Sequence, residues 1–274
     1  MWCRYPGTVV NKLAVAILAA VTICLMASAT AQALNVFDKG RNRAERALHD
    51  GDFTQAEQIF REILSKNPHD NNARLGLSLA LLKQRNIQDA YDHAARVIVA
   101  DPLSARAHAL LGSAILAAGG FRESTEEFRT ALSLDEDEAL AIAGLAMIDF
   151  YENRSGLAIR GLQRAAALAP DEPDYVFNLG QAASRTERYK EAADAYERFL
   201  AIAPKTDADR RARIRGLIDF LRYLGQQKSL YDLAGANRTV VSFEATDSRP
   251  ILLVRVNGEK TPFVLCSIPD RGCP

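Results

Sequence analysis

No charge of either sign dominates this chain of 274 residues: lysine plus arginine and aspartate plus glutamate each number 34. A surface that holds phosphates needs a basic excess or stripe, so the balance argues against nucleic acid as a partner. Cysteine is scarce. Of the four, Cys3 and Cys24 fall in the N-terminal apolar segment, only Cys266 and Cys273 remain, and no C-x-x-C pair exists. A zinc site is thereby disfavoured, while a short terminal disulfide stays possible in an oxidising compartment. No G-x-S-x-G, phosphate-cradling glycine loop or H-E-x-x-H occurs, so the commonest hydrolase, nucleotide and metalloprotease signatures are missing. His49, His69, His93 and His108 are scattered and read as helix-surface residues. No catalytic, cofactor-binding or metal-binding residue is assigned, and no cofactor is expected.

Long hydrophobic runs are also lacking, with one short exception. Arg4 and Lys12 precede a charge-free apolar stretch from Leu13 to Ala27, followed by small residues from Ser28 to Ala33. That stretch is shorter than the ~20 residues a spanning helix needs, and A-x-A sites end at Ala31 and Ala33. The pattern predicts a signal peptide over residues 1–33, a periplasmic or secreted mature chain, and no membrane attachment after cleavage. Removal takes away two bases and no acids, leaving 32 − 34 = −2.

What the sequence does hold is a period. Pro68, Pro102, Pro170 and Pro204 fall on a 34-residue grid whose vacant node is Glu136. Small residues recur at Ala56, Ala90, Ser124, Ala158 and Ala192. A third column reads Phe60, Ala94, Phe128, Leu162, Tyr196, and a fourth Ile63, Val97, Ala131, Ala165, Phe199. In the preceding half of each unit, Leu77, Leu111, Leu145 and Leu179 are followed by Ser78, Gly112, Ala146 and Gly180. Steps of three and four between apolar positions give each half an amphipathic helix, and proline stops the second. One helix pair cannot bury its stripe alone, so neighbours must stack.

These columns resemble the tetratricopeptide repeat family, in five units over residues 37–204. The resemblance implies an all-α fold: a right-handed superhelix of antiparallel helix pairs with a concave groove. Pairs are predicted at 37–49/53–66, 71–84/87–99, 105–117/121–133, 139–152/155–168 and 173–186/189–202. Residues 206–225 read as a capping helix. Thr206 is its expected N-cap, Gly225 its end, and Ile214, Leu217, Ile218, Leu221 and Leu224 its apolar face against solvating Arg211, Arg213, Arg215 and Arg222.

In that family the first helix of each unit lines the groove, and the resemblance implies a protein or peptide as partner. The candidates here are Arg41, Asn72, Leu75, Leu79, Leu82, Arg106, Ala109, Leu116, Leu140, Met147, Phe150, Phe177 and Gln181, with Asn178 and Arg185 interspersed. The lysine–asparagine clamp that one subgroup uses on a peptide's C-terminal carboxylate is not matched, since Arg41 is followed by Glu45. Asp135-Glu136-Asp137-Glu138 reads as a solvated turn ahead of a helix rather than a calcium site.

After Gly225 the composition changes. Thr239–Glu244, Ile251–Val256 and Pro262–Leu265 are β-rich, and Asn257-Gly258 is a hairpin signal. Residues 226–274 are expected to form a linker and a short, incomplete β segment. Arg249 to Leu265 resembles the opening hairpin of retroviral-type aspartic proteases. That family continues directly into Asp-Thr/Ser-Gly, whereas Cys266-Ser267-Ile268-Pro269 stands here. The leading expectation is an exported interaction scaffold. The alternative is a fragment of a repeat-bearing protease truncated before its catalytic half.

Overall fold

The computed structural model describes residues 40–227, 244–246, 249–256 and 259–264. The signal peptide, the four cysteines, Asn257-Gly258 and most of the strand expected from Thr239 lie outside them. The chain divides into two compact units, Met1–Lys228 and Ser229–Pro274.

The first unit is helical throughout. Helix α1 occupies residues 40–49 and pairs in sequence with α2 (Phe53–Lys66). Four further pairs follow: α3 (Asn71–Lys83) with α4 (Ile87–Ala100), α5 (Ala105–Ala117) with α6 (Phe121–Leu134), α7 (Ala139–Tyr151) with α8 (Ser155–Leu168), and α9 (Pro173–Arg185) with α10 (Tyr189–Ile202). A longer helix, α11 (Ala208–Gln226), ends the unit. First helices also pack on the next first helix, α3 on α5, α5 on α7 and α7 on α9. The expected all-α stack of helix pairs is the fold observed.

Its core is the set of sequence columns. Ala56, Ala90, Ala158 and Ala192 are fully buried, as is Ser124, so these positions have room for small side chains alone. The Ser124 hydroxyl donates to the Phe121 carbonyl at 3.0 Å, and buried Ser78 donates to the Ala90 carbonyl at 2.8 Å. Both buried polar groups are therefore satisfied. The columns beginning at Phe60 and Ile63 are buried in every unit.

Each turn inside a pair uses one backbone device. Gly51, Arg85, Gly119, Asn153 and Glu187 stand 34 residues apart, and all have positive φ, from 59° to 94°. The following residue then reaches back across the helix end: Asn86 N to Leu81 O at 2.9 Å, Gly120 N to Ile115 O at 3.0 Å, Arg188 N to Ala183 O at 3.0 Å. This is the left-handed C-terminal cap that reverses a chain tightly after a helix.

The capping helix differs from expectation in three ways. It starts at Ala208 with Asp207 as N-cap residue, because the Thr206 hydroxyl is engaged elsewhere, donating to the Asp50 carbonyl at 3.2 Å. Gly225 lies inside the helix. A Cβ there would stand 3.2 Å from the Lys190 nitrogen, so its role is close approach to the start of α10. Arg211 is half-buried rather than solvating: it donates to the carbonyls of Leu200 and Ala203, both at 2.8 Å. Its charge thus caps the C-terminus of α10, the negative end of that helix.

In the second unit β1 (Glu244–Thr246), β2 (Arg249–Val256) and β3 (Glu259–Val264) pair antiparallel in the order β1-β2-β3. Val256 faces Glu259 and Ile251 faces Val264, the register a two-residue hairpin connection dictates. Pro262 lies on an edge strand, where its missing N–H breaks no central ladder.

Candidate functional site

The first helices, with turn residues and the start of α11, line a half-open cavity of about 910 Å³. Leu79, Leu82, Arg106, Leu116, Leu140, Met147 and Phe177 of the expected groove line it. The other candidates stand apart from that lining. Ala109 is fully buried in the core cluster that holds Phe128, so it is packing rather than groove. Leu75 packs against the cluster around Leu110. Phe150 packs beside Tyr151 and under the Arg185 guanidinium, 5.0 Å from its ring centre. Arg41 is paired with Asp70 at 3.2 Å, and Asn72 and Gln181 are exposed.

Sequence reasoning missed the polar part of the wall. Lys83, Ser113, Glu172, Asp174, Tyr175 and Arg210 line the cavity, along with Asn178. Lys83 Nζ donates to Glu172 Oε1 at 2.8 Å and to Asp174 Oδ2 at 2.6 Å. Arg210 donates to the other Asp174 oxygen at 2.7 Å. Its guanidinium also lies 4.8 Å from the ring centres of Phe177 and Phe199, a planar cation held over aromatic faces. Burial alone would push the Asp174 carboxyl up, but Lys83 and Arg210 outweigh it and hold it down at about 2. Burial alone would likewise lower Lys83, yet Asp174 and Glu172 hold it well above the usual lysine range. Lys83 and Asp174 therefore face each other as ions near neutrality.

Glu172 and, outside the cluster, Glu138 also cap the helices that follow them. Glu172 is the N-cap of α9, accepting from the Asp174 nitrogen at 3.3 Å. Glu138 plays that part for α7 while accepting from Arg106 at 2.7 Å. So the acidic turn at 135–138 supplies a cap and ion pairs. Among the described residues no group of three or more histidine, cysteine or carboxylate side chains could hold a metal. His108 is half-buried, with Nδ1 2.7 Å from Glu127 and Nε2 3.2 Å from the Pro102 carbonyl. It ties α5 to α6 instead of standing on the surface. No described helix is long and apolar enough to cross a membrane.

Alternating helix pairs, a small-residue core column and a cavity walled by first helices define an all-helical repeat stack of the tetratricopeptide type. Two tetratricopeptide repeat family models match the chain, at residues 47–114 and 143–206, so repeats of this kind are present in both segments. Among solved structures, a thermophilic TPR protein of Thermus thermophilus is 20% identical, with TM-score 0.55 over 66% of this chain and 97% of that one. The APC/C hetero-tetramer Cut9–Hcn1 gives TM-score 0.56 at 16% identity, over 70% of this chain and 37% of that one. Both likenesses concern the fold. The BBSome complex member BBS4 of Bos taurus is 24% identical over 196 residues, 63% of this chain and 36% of that protein. Anaphase-promoting complex subunit 3 of Schizosaccharomyces pombe (strain 972 / ATCC 24843) is 27% identical over 160 residues, 58% of this chain and 24% of that protein. The chain thus spans about a third and a quarter of the lengths of these two relatives.

Proposed function

We propose that this protein is an exported scaffold that captures a peptide or protein segment in the cavity walled by its first helices. The observation that carries the reading is the cavity's make-up. Leu79, Leu82, Leu116, Leu140, Met147 and Phe177 supply an apolar wall, with Asn178, Arg106 and the Lys83–Asp174–Arg210 cluster set into it. An apolar floor with a few fixed polar groups suits a segment whose side chains bury while its backbone is held by polar partners. No catalytic role is assigned to any residue. The two relatives named as members of multi-subunit complexes are consistent with a scaffold.

The test is selection of peptides from a random library on the full chain, followed by affinity measurement on Leu79→Arg and Met147→Asp. The reading expects selected peptides to lose at least about tenfold in affinity, more than 1.4 kcal/mol, on both variants while their helical spectrum is kept. Peptides that bind both variants as well as the wild type place capture elsewhere. Export is tested separately: the mature N-terminus of protein recovered from the exported fraction, read by mass spectrometry, should follow Ala31 or Ala33. Recovery of a chain that still begins at Met1 removes that part of the proposal.

A second reading joins the repeats to the opening hairpin of an aspartic protease. It rests on the sequence likeness of Arg249 to Leu265 alone; the antiparallel β2–β3 pairing is common to many hairpins and does not single it out. No acid-protease activity is expected from residues 249–264 alone, because that chemistry needs two carboxylates sharing a proton and the hairpin carries only Glu259.

A further inference from the structure

We propose that a polar latch joins the two ends of the repeat stack across the half-open cavity, and that full entry of a ligand segment requires this latch to open. The proposal adds regulation to the capture site and rests, for its consequence on binding, on the reading given under Proposed function. The latch itself stands on geometry. Lys83, at the end of α3 in the second pair, reaches Glu172 and Asp174 at the start of α9 in the fifth pair, 89 and 91 residues further along. A second contact joins still more distant parts: the Thr206 hydroxyl meets the Asp50 carbonyl at 3.2 Å, 156 residues apart. There the chain is bare of side chain, and a Cβ on Gly51 would lie 2.5 Å from the Thr206 oxygen and 3.0 Å from Pro204.

These contacts differ in kind from those that hold the stack. From α2 onward, extensive helix packing joins neighbours in sequence or successive first helices, through fully buried alanine, leucine and phenylalanine. The latch consists of ion pairs and one hydrogen bond, and its Lys83, Glu172 and Asp174 side chains keep 23%, 26% and 33% of their exposure. Ion pairs that keep a quarter to a third of their exposure are partly screened by salt, as buried apolar contacts are not. The two ends can therefore part while each helix pair stays packed on the next, and the cavity widens along its apolar wall. A ligand that binds only the parted form loses affinity in proportion to the closed fraction.

Opening is read without any ligand, from the distance between spin labels at Gln55→Cys and Lys205→Cys in the full chain. The four native cysteines are replaced by serine. At low salt the labels should report one short distance. Lys83→Ala combined with Thr206→Val should shift it outward by about 5 Å or more, the width of one extended strand, with unchanged helical circular dichroism. Lys83→Arg should keep the short distance. One molar sodium chloride on otherwise unaltered protein should reproduce the shift, which keeps the test available if the double variant misfolds. A long distance at low salt, or a short one that survives both the double variant and high salt, overturns the latch. Peptides that bind at the lining residues with equal affinity whether the labels are near or far overturn its regulatory role and leave the capture site standing. Loss of all lining-dependent binding strikes the capture site and leaves the measured opening intact.

Discussion

At the residue scale the stack works by exchanging size across the gap between units. Phe128 inserts its ring where Gly144 has no side chain, and a Cβ there would sit 2.2 Å from the ring's far carbon. Phe60 meets Gly76 in the same way, at 2.3 Å. One unit later than Phe60 the sizes reverse, with Ala94 and Leu110 buried in one cluster. Phe128→Ala should therefore cost about 3–5 kcal/mol, and Gly144→Leu about 1–3 kcal/mol or more by overpacking. The double variant copies the Ala94–Leu110 arrangement and should be more stable than the sum of the two losses, by about 1–3 kcal/mol in a denaturant-melt cycle. Strict additivity would mean that the ring and the missing side chain do not share a space. The turn column gives a second expectation. Glu187 holds φ 59°, a conformation that strains any residue with a Cβ, so Glu187→Gly should raise stability by about 0.5–1 kcal/mol in chemical melts. A loss of stability there would deny that the turn stores strain.

At the element scale most of the architecture was legible. Columns of fixed spacing report burial because every unit repeats one packing problem, and small residues at 56, 90, 124, 158 and 192 admit one solution. The turn column was not legible, since Gly51, Arg85, Gly119, Asn153 and Glu187 share a backbone conformation and no side-chain chemistry. The cavity wall was half legible: apolar first-helix positions pointed to it, while Lys83, Ser113 and Asp174 in equivalent faces did not draw attention because they are polar. Ala109 was misplaced for the converse reason, as an alanine in the groove column can pack inward when Phe128 fills the space beside it. The start of α11 was misread because Thr206 has the right chemistry for an N-cap but bonds to Asp50 instead. Arg211 belongs to this scale too. It bridges α11 to the last carbonyls of α10, so Arg211→Met should cost about 1–2 kcal/mol by uncapping that terminus. Equal thermal and urea midpoints for the variant and the wild type would show that α11 is held by its apolar face alone.

For the whole molecule, closure of the first unit upon itself is the property no local pattern announced. Contacts 89 and 156 residues apart depend on the rotation accumulated from pair to pair, and each pair contributes only a little of it. The central claim is that a ligand enters the space walled by first helices. Hydrogen exchange of the full chain, with and without a peptide selected on it, addresses that claim directly. The account predicts that binding slows exchange in α3, α5, α7 and α9 and leaves α4, α6 and α8 at their free rates. Protection confined to the second helices, or to residues 244–264, would contradict it.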